Sequence, residues 1–360
     1  MTDIKLTTWN IEHFARVLAG NTPQDQNRRQ AIASEITQID PDILCIIEGP
    51  GDLTLLQDFV NDSSGLNGNY QIPVINGTNN IIDSNPQDVR DALSDLYQMQ
   101  GNATTGNQWI WFLVKNDLVQ SVSNVFLQDP QIWDQFVGSR SWPVHYWGDM
   151  STRNHRHWRH PQVLVIELNI FRVEFIGIHL KSKINRSRPF DANGNLLQTY
   201  VEKAIKARIK LATEAENVRK YINARFRQEA TPRIFVLGDA NDGPGKRFFE
   251  QRFLFFDLLS SLQGDVFFAR RFLNHCLFDY EDRLRWSTDF RDPVNPDERL
   301  QLIDHILFTQ SIVSDNQFPR VESGAGFVEH TIHETINAAL SGGDTSDHHP
   351  VSVTIRWDAQ

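Results

Sequence analysis

Cysteine is almost absent from this chain. Cys45 and Cys276 are the only two in 360 residues, which rules out a disulfide framework or a cysteine zinc motif and leaves room for one bridge at most. Cys45 lies inside an apolar run, the setting of a buried thiol rather than a reactive one. No apolar run is long enough to span a bilayer. The opening Met1-Thr-Asp-Ile-Lys-Leu carries no basic-then-apolar leader, so a cytoplasmic protein without stable membrane insertion is expected. Gly-x-Ser-x-Gly and Gly-x-x-x-x-Gly-Lys are both missing, which removes the usual signatures of serine-nucleophile hydrolases and of phosphate-loop nucleotide binding. Positive charge is also short. A net charge of -10 counts against a generally basic nucleic-acid surface.

What is present is an ordinary globular composition, 40% hydrophobic and 22% charged, enough to bury a large core in one α/β domain or two. The most informative stretch is Ile234-Phe-Val-Leu-Gly-Asp-Ala-Asn-Asp242, a short apolar run that stops at Gly238 and then presents Asp239 and Asn241. It reads as a buried strand whose end delivers two polar groups to a cleft, with a simple Asp/Asn/Gly turn as the alternative. Other runs end in the same way. Lys5 to Asn10 predicts a strand ending in Asn10, Asp42 to Ile47 one ending in Glu48, and the Gln162–Leu168/Phe171–Ile178 hairpin one ending in His179. Further strands are expected over Gln108–Lys115, Val119–Leu127, Leu300–Phe308 and Pro350–Arg356. Helical spacing covers Arg28–Ile39, Leu53–Val60 and Gln198–Phe226, with helical pieces over Phe248–Phe278 and a short helix near Val89–Met99 in an otherwise loop-like Asn61–Gly106. Asp304 and His305 sit inside an apolar run, so Asp304 needs a partner.

The charge is uneven. Between Ser139 and Arg188 there are nine basic residues, three acids and five histidines, a local basic zone that points to an anion site. Its stretch Trp142–His160 has no clean period and predicts a loop. Arg and aromatic side chains there suit phosphate contact and base stacking. Packing of the aromatics on the core is the alternative, and a zinc site from the histidines lacks recognised spacing.

Asn10, Glu48, His179, Asp239, Asn241, Asp304, Asp347 and His348 therefore fall at strand ends or beside them, in six separated segments. Carboxylates and amides are hard oxygen ligands suited to Mg²⁺ or Mn²⁺, and histidine with a buried aspartate is a device for proton transfer. Metal-assisted attack of water on a phosphate ester fits this set.

With those residues in place, the chain resembles the endonuclease/exonuclease/phosphatase (DNase I-like) superfamily. The matching segments are Thr8-Trp-Asn10, Ile46-Ile-Glu48, Gly177-Ile-His179, Gly238-Asp-Ala-Asn241, Ile303-Asp-His305 and Ser346-Asp-His-His-Pro350, in the family's order and spanning nearly the whole chain. The resemblance implies a single catalytic domain over residues 1–360, built as a four-layered α/β sandwich of two packed mixed β-sheets flanked by helices. It implies Glu48 as the main Mg²⁺ (or Mn²⁺) ligand, with Asn10 and Asp347 near the metal. Asp239 would position or deprotonate the attacking water, with Asn241 beside it. His348, oriented by Asp304, would contact the scissile phosphate, and His179 would stabilise its developing charge. Arg159, in Arg159-His-Pro161, matches a family segment and is a phosphate-contact candidate. Lys181, two residues past His179, is a substrate-binding candidate. His349 falls at a variable position and is assigned no catalytic role.

The segments after Gly238-Asp and around Asp304 lack the Asn-Tyr-Arg and Trp-Cys-Asp-Arg of the inositol phosphatase branch. No hydrophobic hairpin for membrane docking is visible. The Arg, His and Trp stretch favours a nucleic-acid substrate, DNA or RNA, and a nuclease is the leading expectation. A phosphatase or phosphodiesterase for a small-molecule or lipid phosphate is the alternative, and an inactive binding protein on the same scaffold a third.

Overall fold

The computed structural model describes residues 3–75, 108–146, 150–168, 171–183, 185, 187–244, 248–253, 258–290, 294, 299–313, 318–341 and 343–357. In chain order its strands are β1 (Asp3–Asn10), β2 (Ile43–Gly49), β3 (Tyr70–Gln71), β4 (Trp109–Lys115), β5 (Asn124–Leu127), β6 (Trp142–His145), β7 (Thr152–His155), β8 (Gln162–Leu168), β9 (Phe171–His179), β10 (Arg233–Asp239), β11 (Leu273–His275), β12 (Thr288–Asp289), β13 (Leu300–Gln301), β14 (Asp304–Thr309), β15 (Arg320–Val328) and β16 (Val351–Arg356). Twelve of them form two six-stranded sheets, ordered β15-β16-β1-β2-β4-β3 and β11-β14-β10-β9-β8-β5. Both are mixed: β1 runs parallel to β2 and antiparallel to β16, and β10 runs parallel to β9 and antiparallel to β14.

Side-chain alternation along these strands builds four layers. Leu6, Cys45, Phe112, Val353, Leu164, Phe175, Phe235 and Ile306 belong to one buried cluster between the sheets. The opposite face of the first sheet, with Trp9 and Ile46, packs on the helices Phe14–Ala19, Pro23–Ile39 and Leu53–Asn61. The opposite face of the second, with Ile176 and Val236, packs on Pro130–Val137, Leu258–Gln263 and the 31-residue helix Gln198–Gln228. This is the α/β sandwich of two mixed sheets flanked by helices that the motifs imply.

Two glycines of those motifs have steric reasons. Gly177 faces the other sheet, and a Cβ there would stand 2.7 Å from Ile110 Cγ2 and 3.1 Å from Cys45 Sγ. Gly238 has φ of +130°, and its Cβ would stand 2.1 Å from the Ile178 backbone oxygen, which no rotamer can relieve. Gly238→Ala is therefore expected to destabilise the protein by about 2–3 kcal/mol or more, visible as a lower urea midpoint; an unchanged midpoint would contradict the backbone geometry.

Several expectations need correction. The helix predicted to begin at Arg28 begins at Pro23, because Thr22 and Asp25 form a capping box ahead of it. Val119–Leu127 is not one strand. Asn116–Ser121 is a helical turn, and only Asn124–Leu127 pairs, with β8. The predicted loop Trp142–His160 contains the β6–β7 hairpin. Phe248–Phe278 holds a strand, β11, beside its helical pieces. The run Leu300–Phe308 is broken at Leu302 and Ile303, which are buried but outside both β13 and β14. Tyr70–Gln71 adds a strand in a region read as loops. The helix expected near Val89–Met99 lies outside the described residues. Cys45 and Cys276 are both buried and free, so no bridge joins them.

Candidate active site

Register places the polar residues together. Asp239 pairs with His179 on one side and with Asp304 on the other. Each continues its strand's inward-facing positions, so all three point into the open end of the space between the sheets. Asn10, at the end of β1 and in phase with Leu6, enters the same space from the first sheet. There its Nδ2 donates to Asp239 Oδ2 at 3.1 Å and lies 3.4 Å from His348 Nε2. Asn10, His179, Asp239, Asp304 and His348 are all buried.

Asp239 is held by amides. The Asn241 backbone N–H donates to Oδ1 at 2.7 Å and Asn241 Nδ2 to Oδ2 at 3.0 Å, with His179 Nε2 3.5 Å away. Asn241 achieves this in the left-handed region, φ +52°, which asparagine tolerates better than most residues. Burial, then the nearby Asp304 carboxylate, lifts Asp239 to about 7. On its other side Asp304 Oδ2 meets His348 Nδ1 at 2.7 Å and accepts from Ser287 Oγ at 2.8 Å. Burial disfavours the His348 imidazolium, but the Asp304 carboxylate outweighs it and raises His348 to about 10. Asp304 thus has its partner. His179 is pushed the opposite way, well below the ordinary histidine value, by burial and by Arg159, and is a neutral ring.

Glu48 reaches the site by a break in the strand. The β2–β4 register shifts between Ile46 and Gly49, and Glu48 itself adopts φ of +63°. Such a bulge re-aims a side chain at a local strain of about 1–3 kcal/mol. Its carboxylate accepts from the His13 backbone N–H at 3.2 Å and from Gln108 Nε2 at 2.8 Å. Gln108 Oε1 in turn accepts from Arg159 Nε at 2.9 Å, and Arg159 Nη1 donates to Leu180 O at 3.3 Å. Arg159 thereby links the residue before β4 to the residue after β9. Asp347 is exposed beside His348. Loss of solvent, then the Glu12 and Glu48 carboxylates, with His348 opposing, hold its carboxyl above the usual range.

This acidic group fits a hard divalent cation. Glu48 and Asp347 supply carboxylates that repel one another without one, and Asn10 Oδ1 is a buried oxygen with no hydrogen-bond partner among the described residues. Asp239, Asp304 and His348 also place ligand atoms within 4.8 Å of one another, but the Asp304–His348 bond already occupies two of them.

Lys181 is fixed by its backbone N–H, which donates to Glu214 Oε2 at 2.7 Å, and its side chain lines a cavity with Arg159. The Trp142–His160 stretch divides in two. His157 and His160 are buried against Trp133 and are held by burial near 3 and 4, as neutral core histidines. Trp158 is 46% exposed and faces that cavity. Gln108 and Ser287 were missed by sequence reasoning. Ser287 is one polar residue in the short stretch Trp286–Phe290, and nothing marks Gln108.

No family model matches the chain, and no curated protein matches it. Among solved structures, truncated Caenorhabditis elegans TDP2 is 14% identical, with 98% of this chain and 97% of that chain covered at a TM-score of 0.48. An endonuclease/exonuclease/phosphatase from Beutenbergia cavernae is 13% identical, covering 100% and 72% at 0.45. The human Nocturnin catalytic domain with bound sulfate anion is 14% identical, covering 99% and 95% at 0.47. In the order of its motifs and in its paired mixed sheets, the chain resembles the endonuclease/exonuclease/phosphatase superfamily.

Proposed function

We propose that residues 1–360 form one catalytic domain, a divalent-metal-dependent phosphodiester hydrolase acting on nucleic acid. The observation that carries this reading is the meeting of Asn10, His179, Asp239, Asn241, Asp304 and His348, from distant segments, at the mouth between the two sheets. Glu48, with Asn10 and Asp347, would hold Mg²⁺ or Mn²⁺, which supplies charge stabilisation to a phosphate oxygen when bound. Asp239, pinned by three amide donors, orients a water and takes its proton. The His348 imidazolium, paired with Asp304, donates to the phosphate and balances charge as it builds up. Neutral His179 adds one further N–H donor. Arg159 and Lys181 favour an anionic substrate at the edge of this site.

A lipid substrate is the second reading, because Val266, Phe267 and Phe268 are 66%, 91% and 63% exposed and are followed by Arg270 and Arg271. This apolar patch was not visible as such in the sequence. It sits at the wrong end of the sheet, however. The next strand, β11, pairs Leu273 with Thr309, whereas the site lies at Asp304, five residues or about 17 Å along β14. A membrane bound there would not present a lipid headgroup to Asp239 or His348. Among the described residues, no helix is long and apolar enough to cross a membrane.

The test is hydrolysis of plasmid DNA, single-stranded RNA and bis(p-nitrophenyl) phosphate in Mg²⁺ or Mn²⁺ and in EDTA. Nucleic-acid cleavage that needs the metal is the expected result. Turnover of the bis-ester alone would move the substrate to small-molecule or lipid esters, and turnover undiminished by EDTA would remove the metal from the scheme.

A further inference from the structure

Beside Arg159 lies a cavity of about 780 Å³, within the size range of small-molecule sites. It opens between the Gln198–Gln228 helix, the chain after β9 and the β6–β7 hairpin. Five cations line it: Arg159, Lys181, Lys203, Lys206 and Lys210. The three helical lysines share one face by their spacing; Lys210 Nζ lies 3.3 Å from the buried Glu214 carboxylate, and Lys203 Nζ donates to Ser187 Oγ at 2.7 Å. On a chain of net charge -10 this is a concentrated positive site. Two aromatics, Tyr146 and Trp158, complete the lining. Tyr146 is tied by its hydroxyl to His155 Nε2 at 2.7 Å, whereas the indole of Trp158 is nearly half exposed.

We infer that this cavity binds a nucleotide unit of a single nucleic-acid strand flanking the scissile phosphate, its base against Trp158 and its phosphates on Lys203, Lys206 and Lys181. The composition selects this ligand. Lysines alone would accept any polyanion, but an exposed indole among them adds a flat surface that a base can stack on. Arg159 lines the cavity and is hydrogen-bonded through Gln108 to Glu48, which sets the cavity beside the candidate site and lets its ligand be placed next to the scissile phosphate. Only that last connection rests on the hydrolase reading.

The experiment is fluorescence anisotropy of fluorescein-labelled dT12 in EDTA across a salt series, with wild type, Trp158→Ala, Trp158→Tyr and Lys203→Glu/Lys206→Glu. Trp158→Ala is expected to weaken binding about tenfold, and Trp158→Tyr to recover most of it. The double lysine variant should lower the slope of log affinity against log salt by about 1.4, two single-strand phosphate contacts. Wild-type affinity and slope in both variants would overturn the inference. So would a lysine dependence without any Trp158 dependence, together with displacement of dT12 by inorganic tripolyphosphate at equal phosphate concentration, which would make the cavity a bare polyphosphate site. The two proposals fail separately. Absent metal-dependent hydrolysis of plasmid DNA, single-stranded RNA and bis(p-nitrophenyl) phosphate alike by wild type would sink the hydrolase, whereas a Trp158- and lysine-dependent dT12 affinity would leave the cavity assignment standing.

Discussion

His348→Ala is expected to lower turnover by about 10²–10⁴-fold and to destabilise the fold at the same time. The two effects have different origins. Activity falls because the imidazolium that faces Asn10 and Asp239 is gone. Stability falls because Asp304, fully buried, loses its His348 partner and is left with Ser287 Oγ as its remaining side-chain hydrogen-bond donor among the described residues. Removing one member of a buried pair costs about 3–5 kcal/mol. A second substitution separates them. Asp304→Asn placed on His348→Ala replaces the unpartnered carboxyl with a neutral amide while leaving an oxygen for Ser287, so most of the lost stability should return while turnover stays low. Recovery of both in the double variant would mean that His348 acts only as a structural partner of Asp304. Urea unfolding and single-turnover hydrolysis on the same preparations read the two quantities.

Glu48→Gln should act through the cation. The amide keeps the size of the side chain but removes a charge and replaces one ligand oxygen with a donor. The Mg²⁺ concentration for half-maximal rate is expected to rise at least about 100-fold, given that even outer partners of metal ligands shift affinity by about 10–100-fold. A readout apart from turnover is available. Mg²⁺ should raise the melting temperature of wild type, as any ligand of the native state does, and should raise it far less in the variant. Equal melting shifts in both proteins would take Glu48 out of the metal site. In the absence of metal, the variant should be no less stable than wild type, because the substitution relieves the repulsion with Asp347.

Much of this site could be read from the sequence, for a physical reason. Residues such as Asn10, His179 and Asp239 are costly at the ends of buried strands, so their presence there marks them, and alternation fixes the face they share. What escaped has equally definite causes. Gln108 carries no charge and no unusual spacing, and only the bulge at Glu48 brings the two together. Ser287 acts on Asp304 across a break in an apolar run that looks continuous, because Leu302 and Ile303 are buried without joining a ladder. The β6–β7 hairpin lacks an apolar alternation, since its exposed residues, such as Arg153, sit beside buried His155. The helical start at Pro23 was hidden because its capping box lies outside the apolar period. The aromatic and basic stretch Trp142–His160 was read as one surface, whereas burial assigns His157 and His160 to the core and leaves Trp158 and Arg159 on the lining of the cavity.

The position of Gly177 bears on how finely the two sheets must be spaced. No ladder of hydrogen bonds joins one sheet of a sandwich to the other; their separation is set by how deeply side chains interlock. Asn10 and Glu48 ride on one sheet, and His179, Asp239 and Asp304 on the other, so the gap between sheets is also the gap between the two halves of the site. Cys45, Ile110 and Phe112 rest in the hollow that the missing side chain of Gly177 leaves, two residues from His179. A displacement of about 1 Å is enough to cost a catalytic site 100-fold. The buried cysteine therefore serves as a spacer, and its volume helps to set the distance between the two halves of the candidate site.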